Sequence, residues 1–370
     1  MPKTPRASRR RQVQADGLNS APQSPGPEPF LDLVTQLRAP VEAHLKELLG
    51  VELERAKSRS PDVAAMVKAF RDMTLRGGKR FRAGLLVVGY RTVSTEGALE
   101  PAIEAAAALE LLQSYLLIHD DWMDQDTSRR GGASAHVQLA EHFDSPHQGA
   151  AAAILAGDYG AALASRVLAG VRVDPARGIA ALRCFSAMQM DVVCGQQLDI
   201  AARSQDVEEV YALKTSSYSV RGPLCLGALL AGGGETILTA LDGFALPVGI
   251  AFQHRDDLLG LFGDASATGK PVGRDLQQGK RTLLTQLARQ RLRGSARDTF
   301  HQVFGNAKAT RGQLQRGLAV LRDSGLIEKV TERIAVLERE ALSALQTSAL
   351  PLRSQVLLAS AASALLARDR

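Results

Sequence analysis

A chain of 370 residues that is 45% hydrophobic and only 4% aromatic can bury a sizeable core, and its abundance of Ala and Leu favours helix over strand. The net charge of +6 divides into +3 from residues 1–29 (Lys3, Arg6, Arg9, Arg10 and Arg11 against Asp16 and Glu28) and +3 from the rest, and no basic stripe is interleaved with aromatics, which excludes a nucleic-acid surface. Three cysteines, Cys184, Cys194 and Cys225, an odd number without metal-ligand spacing, read as ordinary buried thiols of a reducing, cytoplasmic compartment.

Residues 1–29 are predicted to be a disordered tail, with six prolines, little to bury and no apolar segment of the kind a secretory signal needs. From Phe30 to residue 370 the helical period dominates and predicts one all-α domain, a large helical bundle. Leu45, Leu48, Leu49 and Leu53 form the stripe of the first helix; Asp62 is the expected N-cap of the second, which Gly77–Gly78 end. Further helices are expected over Arg80–Thr92, Ala102–Asp124, Ala150–Ala169, Ile179–Ala201, Val207–Leu229, Ile237–Leu259 and Lys280–Leu292, with two or three more beyond. Short runs such as LLVVG suggest strand, but none has a hairpin signal. Asp158, Glu235 and Asp242 break the most apolar regions, so no membrane span is expected. Gly263–Gly279, rich in glycine and polar residues, reads as a mobile loop.

Two aspartate clusters stand out against this background. LLIHDDWMDQDTSRRGG holds Asp120, Asp121 and Asp124, and FQHRDDLLGLFGDASATGKPVGRDLQQGK holds Asp256 and Asp257. On a helix Asp120 and Asp124 project within about 40° of each other, with Asp121 about 100° round. Carboxylates on apolar helices are costly unless a cation neutralises them. Because the arginines and lysines nearby are themselves suited to phosphate, the economical reading is Mg²⁺ bridging carboxylates to a phosphate-bearing substrate. RGGKRFR (76–82) adds two glycines and three cations, Lys79, Arg80 and Arg82, at a helix N-terminus, where a bound anion would offset the unfavourable charge. Lys214–Thr215 and GQQLDI (195–200) are weaker signals alone.

Taken in order, GGKRFR, HDDWMD…RRG, ILAGD, GQQLD, KT and FQHRDDLLGLFGD…GKPVGRDLQQGK resemble the trans-isoprenyl diphosphate synthase (polyprenyl synthetase) family from Phe30 onward. The resemblance implies the isoprenoid synthase fold, a helical bundle around a central cavity with the two Asp motifs facing across its mouth, and a homodimer. It implies condensation of isopentenyl diphosphate with allylic diphosphates (dimethylallyl, geranyl or farnesyl) with three Mg²⁺ ions per site. Asp120 and Asp124, with Asp121 in support, and Asp256, with Asp257 beside it, would bind the metal. Arg129, Lys214 and Lys270 would grip the allylic diphosphate; Lys79, Arg82 and Arg130 would grip that of isopentenyl diphosphate. Thr215 and Gln253 would line the reaction centre.

Three departures from the family pattern are visible: Gln113 where a His commonly helps bind isopentenyl diphosphate, Ala83 in place of a Pro, and Gly260 in place of the second motif's last Asp. The helix wheel makes Leu116, four residues before Asp120, the nearer floor for a growing chain; the resemblance points instead to Tyr115, and to geranylgeranyl diphosphate as product, with farnesyl diphosphate second. Rivals are a terpene cyclase, which should lack GGKRFR, and a non-catalytic subunit of a heteromeric synthase, which should lose an Asp motif.

Overall fold

Glu28 opens the first helix, two residues ahead of the expected start, and the chain before it is already tied to the far end of the sequence. Ser363 Oγ donates to the Pro25 carbonyl (3.1 Å), and the Phe30 N–H donates to Ser360 Oγ (3.0 Å). The structure, a computed structural model, describes residues 25–202, 206–263 and 273–367; the tail over residues 1–24 and Lys270 lie outside the described residues.

In chain order the elements are α1 (Glu28–Lys57), α2 (Pro61–Leu75), α3 (Phe81–Arg91), α4 (Glu100–Met123), β1 (Ser128–Arg129), β2 (Gly132–Ala133), α5 (Ala135–Phe143), α6 (Pro146–Ala169) and α7 (Pro175–Ala201). Then come α8 (Val207–Tyr211), a π-helical stretch (Ala212–Arg221), α9 (Gly222–Leu230), α10 (Glu235–Phe262), α11 (Arg274–Gln277), α12 (Leu283–Arg291), α13 (Gly294–Val303), α14 (Arg311–Asp323), α15 (Leu326–Gln346) and α16 (Leu352–Leu366). The all-α class holds. Among the described residues strand is confined to β1 and β2, a hairpin the sequence reading did not anticipate.

Local chemistry moves several boundaries. Ser60, not Asp62, caps α2: its backbone is extended, its Oγ accepts the Val63 N–H (3.1 Å), and Pro61 supplies the first turn. LLVVG lies inside α3, where every residue from Ala83 to Tyr90 is buried; a helix buried all round has the unbroken apolar run that imitates a strand. α3 crosses α9 with backbones almost touching, since a Cβ at Gly89 would overlap the Leu224 carbonyl and one at Gly227 that of Leu86. The pair forms a shared wall. On one side pack Phe244 and Val248 of α10 with Ile334 and Leu337 of α15; on the other, Phe70, Leu109, Leu112 and Phe185.

The expected helix over Val207–Leu229 is three elements, because Pro223 offers no N–H and Gly222 presses on the Ser217 carbonyl. The widened turns lie at Lys214 and Thr215. α4, α6 and α10 are long and apolar enough by length and composition alone to cross a membrane, contrary to the expectation from their interrupting acids. In the fold they are packed staves: α4 against α6, and α10 against α15 and the π-helix.

Candidate active site

The C-terminal turn of α4 presents the first acid cluster to the hairpin that follows it. Asp121 is fully buried and paired with Arg129, whose Nε donates to its Oδ1 at 2.7 Å; Arg129 Nη2 also lies 3.5 Å from Asp120 and 3.5 Å from Asp126. Burial works against the Arg129 charge, yet Asp121, Asp120 and Asp126 outweigh it and hold the guanidinium above its ordinary pKa. The premise that neighbouring bases leave these acids to a metal is thus corrected at Asp121. Asp120 keeps a quarter of its side chain exposed, and Asp124 caps the helix, its N–H bonded to the Asp120 carbonyl at 2.8 Å.

Arg129 and Arg130 are consecutive but serve opposite sides. The two-residue turn between β1 and β2 places Arg130 at φ +50° and Gly131 at φ +73°, the primed geometry that follows strand twist. Arg76 anchors the hairpin by donating to the Ala133 carbonyl (2.7 Å). Arg130 turns away from the acids and lies against Gly78, where a side chain would crowd its guanidinium. Burial, and then Arg80, Arg82 and Arg129, push the Arg130 pKa down despite Glu110. Such crowding of cations favours an anion. Arg82 is held nearby by Ser219 Oγ (2.6 Å) and by the Tyr218 ring (4.4 Å to its centroid). Lys79 is exposed on the same loop. Arg80 does something else: it is buried, left-handed at φ +55°, and ion-paired to Glu110 and Glu42, so it fastens α3 to α4 and α1 rather than awaiting an anion.

At the second cluster, half-buried Asp256 and buried Asp257 divide the work. Asp257 accepts from the Tyr211 hydroxyl and from Gln253 Nε2 (2.8 Å), while Gln253 Oε1 accepts from Thr215 Oγ1 (2.6 Å). Burial pushes the Asp257 carboxyl up, against the pull of Lys280, Tyr211 and Gln253, and burial with Asp257 pushes the Tyr211 phenol well up. Asp257 is therefore the acid that fixes Thr215 and Gln253 in place. α8 is itself pinned by Glu208, which takes both His254 (3.0 Å) and Arg333 (2.8 Å).

The two clusters are brought together by residues the sequence reading passed over. In the GRDLQQGK stretch, expected to be mobile, residues 273–279 instead include α11, docked on the first cluster: Arg274 Nη1 pairs with Asp126 (2.9 Å), and Gln278 Nε2 donates to the Asp124 carbonyl (3.1 Å). Asp275 lies over Gly260, 2.8 Å from where a Cβ would stand, so a carboxylate still occupies that neighbourhood. Lys280 lies 3.9 Å from Asp257 and 3.8 Å from Asp275. Burial lowers its pKa, but Asp275, Asp257, Asp199 and Asp120 together raise it, which places one ammonium within reach of both clusters. Lys214 pairs with Asp199 and lies 3.8 Å from Asp120, and Gln196 Nε2 donates to Asp120 (3.3 Å). GQQLD is thereby explained: Gln196 and Asp199 share a face of α7, and Gly195 admits the backbone of Lys214, which a Cβ would strike. The i, i+3 spacing of Gln196 and Asp199 just after Gly195 was the available signal.

Gln113 is buried one turn after Glu110, and among the described residues its Oε1 has no hydrogen-bond partner. Tyr115 is half-buried against His119, ring centroids 4.9 Å apart, and burial followed by Asp158 raises its phenol pKa. Leu116 packs against the α4 side of the core.

Among the described residues no three acids, histidines or cysteines close around a point that could hold a metal unaided. The donor set fits Mg²⁺ nonetheless: Asp120 and Asp124 one turn apart at the C-terminal end of α4, and half-buried Asp256 on α10, are hard oxygen ligands, and this ion commonly takes one or two carboxylates with substrate phosphates and water.

Residues 63–321 match the sequence profile of the polyprenyl synthetase family. The chain is 31% identical to a short chain isoprenyl diphosphate synthase of Methanocaldococcus jannaschii, over 70% of this chain and 77% of that one. It is 37% identical to the farnesyl diphosphate synthase of Escherichia coli, over 60% and 75%. A crystal structure of a geranylgeranyl pyrophosphate synthase from Corynebacterium glutamicum, complexed with isoprenyl diphosphate and magnesium, superposes with a TM-score of 0.81 at 31% identity, covering 93% of this chain and 98% of that one.

Proposed function

The chain belongs to the polyprenyl synthetase family and is a prenyl-transferring synthase; from that premise we propose that it condenses isopentenyl diphosphate with allylic diphosphates, giving geranylgeranyl diphosphate as main product. The observation that carries this reading is the division of cations at Arg129–Arg130. One set, Arg129, Lys214 and Lys280, surrounds the acids; the other is formed by Lys79 and Arg82 of GGKRFR with Arg130 against Gly78. Two cation sets suit two diphosphates, whereas a cyclase ionising one substrate needs one.

In this mechanism Asp120, Asp124 and Asp256 would hold Mg²⁺, which supplies Lewis-acid neutralisation of the leaving diphosphate. Arg129, Lys214 and Lys280 orient that diphosphate and spread its developing charge. Asp257, through Gln253, directs the Thr215 and Gln253 oxygens to the allylic carbon as its C–O bond breaks. Arg82, Arg130 and Lys79 fix isopentenyl diphosphate so that its double bond attacks that carbon. The proton lost afterwards passes to the departed diphosphate, so no side-chain base is required. Tyr115, in the bulky position below Asp120, supports a product of limited length, with farnesyl diphosphate the second reading.

A homodimer fits the exposed apolar side chains Ile154 and Leu155 of α6 and Ile179, Met190 and Val193 of α7; light scattering on the eluting protein tests it. The function itself is tested by following diphosphate release from geranyl diphosphate with Mg²⁺. Release should be strongly stimulated by isopentenyl diphosphate; release indifferent to it would favour ionisation of a single substrate.

A further inference from the structure

Behind the turn that carries Lys280, the outer faces of α12 and α13 enclose a cavity of about 430 Å³ lined by Arg281, Gln286, Arg289, Gln290, Arg297 and His301. The spacing is regular. Gln286 and Gln290 follow at a four-residue interval on α12, which also carries Arg289, Arg281 just precedes that helix, and Arg297 and His301 stand four apart on α13, so donors from both helices face one space. Among the described residues no acid lines it and none of the three arginines forms an ion pair. Elsewhere the pattern is the reverse: Arg166 finds Glu52, Arg221 finds Asp242, Arg274 finds Asp126 and Arg333 finds Glu208. Arg289 is steadied by the Phe304 ring, 5.9 Å from its guanidinium, and Phe304 is stacked on buried Phe300.

Three like charges around a concave surface repel one another, and the donors beside them are of the kind that fork onto phosphate oxygens. The cavity is within the size range of small-ligand sites and has room for a diphosphate group. We propose that it is a second anion site, separate from the catalytic cleft, which takes a diphosphate or a similarly multiply charged phosphate group. Lys280 turns inward to the acids while Arg281, the next residue, lines the outer cavity, so the two sites lie back to back.

Calorimetric titration with inorganic diphosphate in EDTA tests this without turnover. In a protein carrying Lys79→Gln, Arg82→Gln and Lys214→Gln, which weakens both inner clamps, diphosphate should still bind. Adding Arg289→Gln and Arg297→Gln, both at exposed positions, should weaken that binding at least about ten-fold with the melting temperature unchanged. No binding in the Lys79/Arg82/Lys214 background, or binding unaltered by the Arg289/Arg297 changes, would overturn the proposal.

Discussion

The hydroxyl of Tyr211 donates to the carboxylate of Asp257, and Gln253 donates to the other oxygen of the same group. A single tyrosine on a five-residue helix thus sets the acid that orders Gln253 and, through it, Thr215. Removing one hydrogen bond to a buried charged group costs about 1.5–3 kcal/mol. Tyr211→Phe should therefore lower both the melting temperature and kcat, the latter by about ten-fold, with KM for isopentenyl diphosphate little changed. Steady-state kinetics with each substrate varied in turn will read this; an unaltered kcat would remove Tyr211 from the account.

Arg129 and Arg130 should separate by substrate. Arg129→Gln removes the cation beside Asp120 and Asp121, so its main effect should fall on the allylic diphosphate; Arg130→Gln should act on isopentenyl diphosphate. Each should raise the relevant KM by about ten- to a hundred-fold. Equal effects of both changes on both substrates would mean that the hairpin does not divide the cations.

Glu208 predicts an acid limb of stability. Hydrogen bonds from Arg333 and then His254 hold its carboxyl at about 2, below the ordinary glutamate value of 4.5. A depressed folded-state pKa contributes stability that is present above the unfolded value and is lost as pH falls from about 4.5 through about 2. Glu208→Gln should destabilise the protein on the order of 2 kcal/mol near neutral pH. That deficit should shrink in urea melts near pH 3; a deficit independent of pH would assign the loss to packing.

Tyr115→Ala should lengthen the products, as sized by chromatography of the dephosphorylated prenols. Leu116→Ala should leave their length unchanged and cost modest stability, because Leu116, on α4, is partly buried against the core. The opposite pattern would make the helix wheel, not the family resemblance, the better guide to the floor.

The acids and some of the cations were legible because charge on apolar helices is costly and so conspicuous in sequence. Asp120, Asp121, Asp124, Asp256 and Asp257 stand out that way, and Lys79 and Arg82 by their charge at a helix start, whereas the roles of Arg129, Arg130, Lys214, Thr215 and Gln253 come from the family resemblance. What was missed depends on tertiary approach. The primed turn at Arg130–Gly131 has none of the Asn-Gly or Asp-Gly chemistry that announces such a turn. Tyr211 and Lys280 look like an ordinary buried aromatic and a loop lysine until α8 and the α11–α12 turn meet at Asp257. In sequence Arg80 looks like an anion contact beside Lys79 and Arg82, because the pattern of RGGKRFR cannot reveal that a left-handed backbone turns it inward to Glu110. The acid near Gly260 is also invisible in sequence, since Asp275 reaches it from fifteen residues further along.

The central claim is that two diphosphates are held on separate cation sets and joined. Its most direct test is incorporation of isotopically labelled isopentenyl diphosphate, with Mg²⁺ and dimethylallyl, geranyl or farnesyl diphosphate, into extractable prenyl product. Label should enter the product with at least one primer and accumulate mainly at twenty carbons. Absence of label with all three primers would contradict the account.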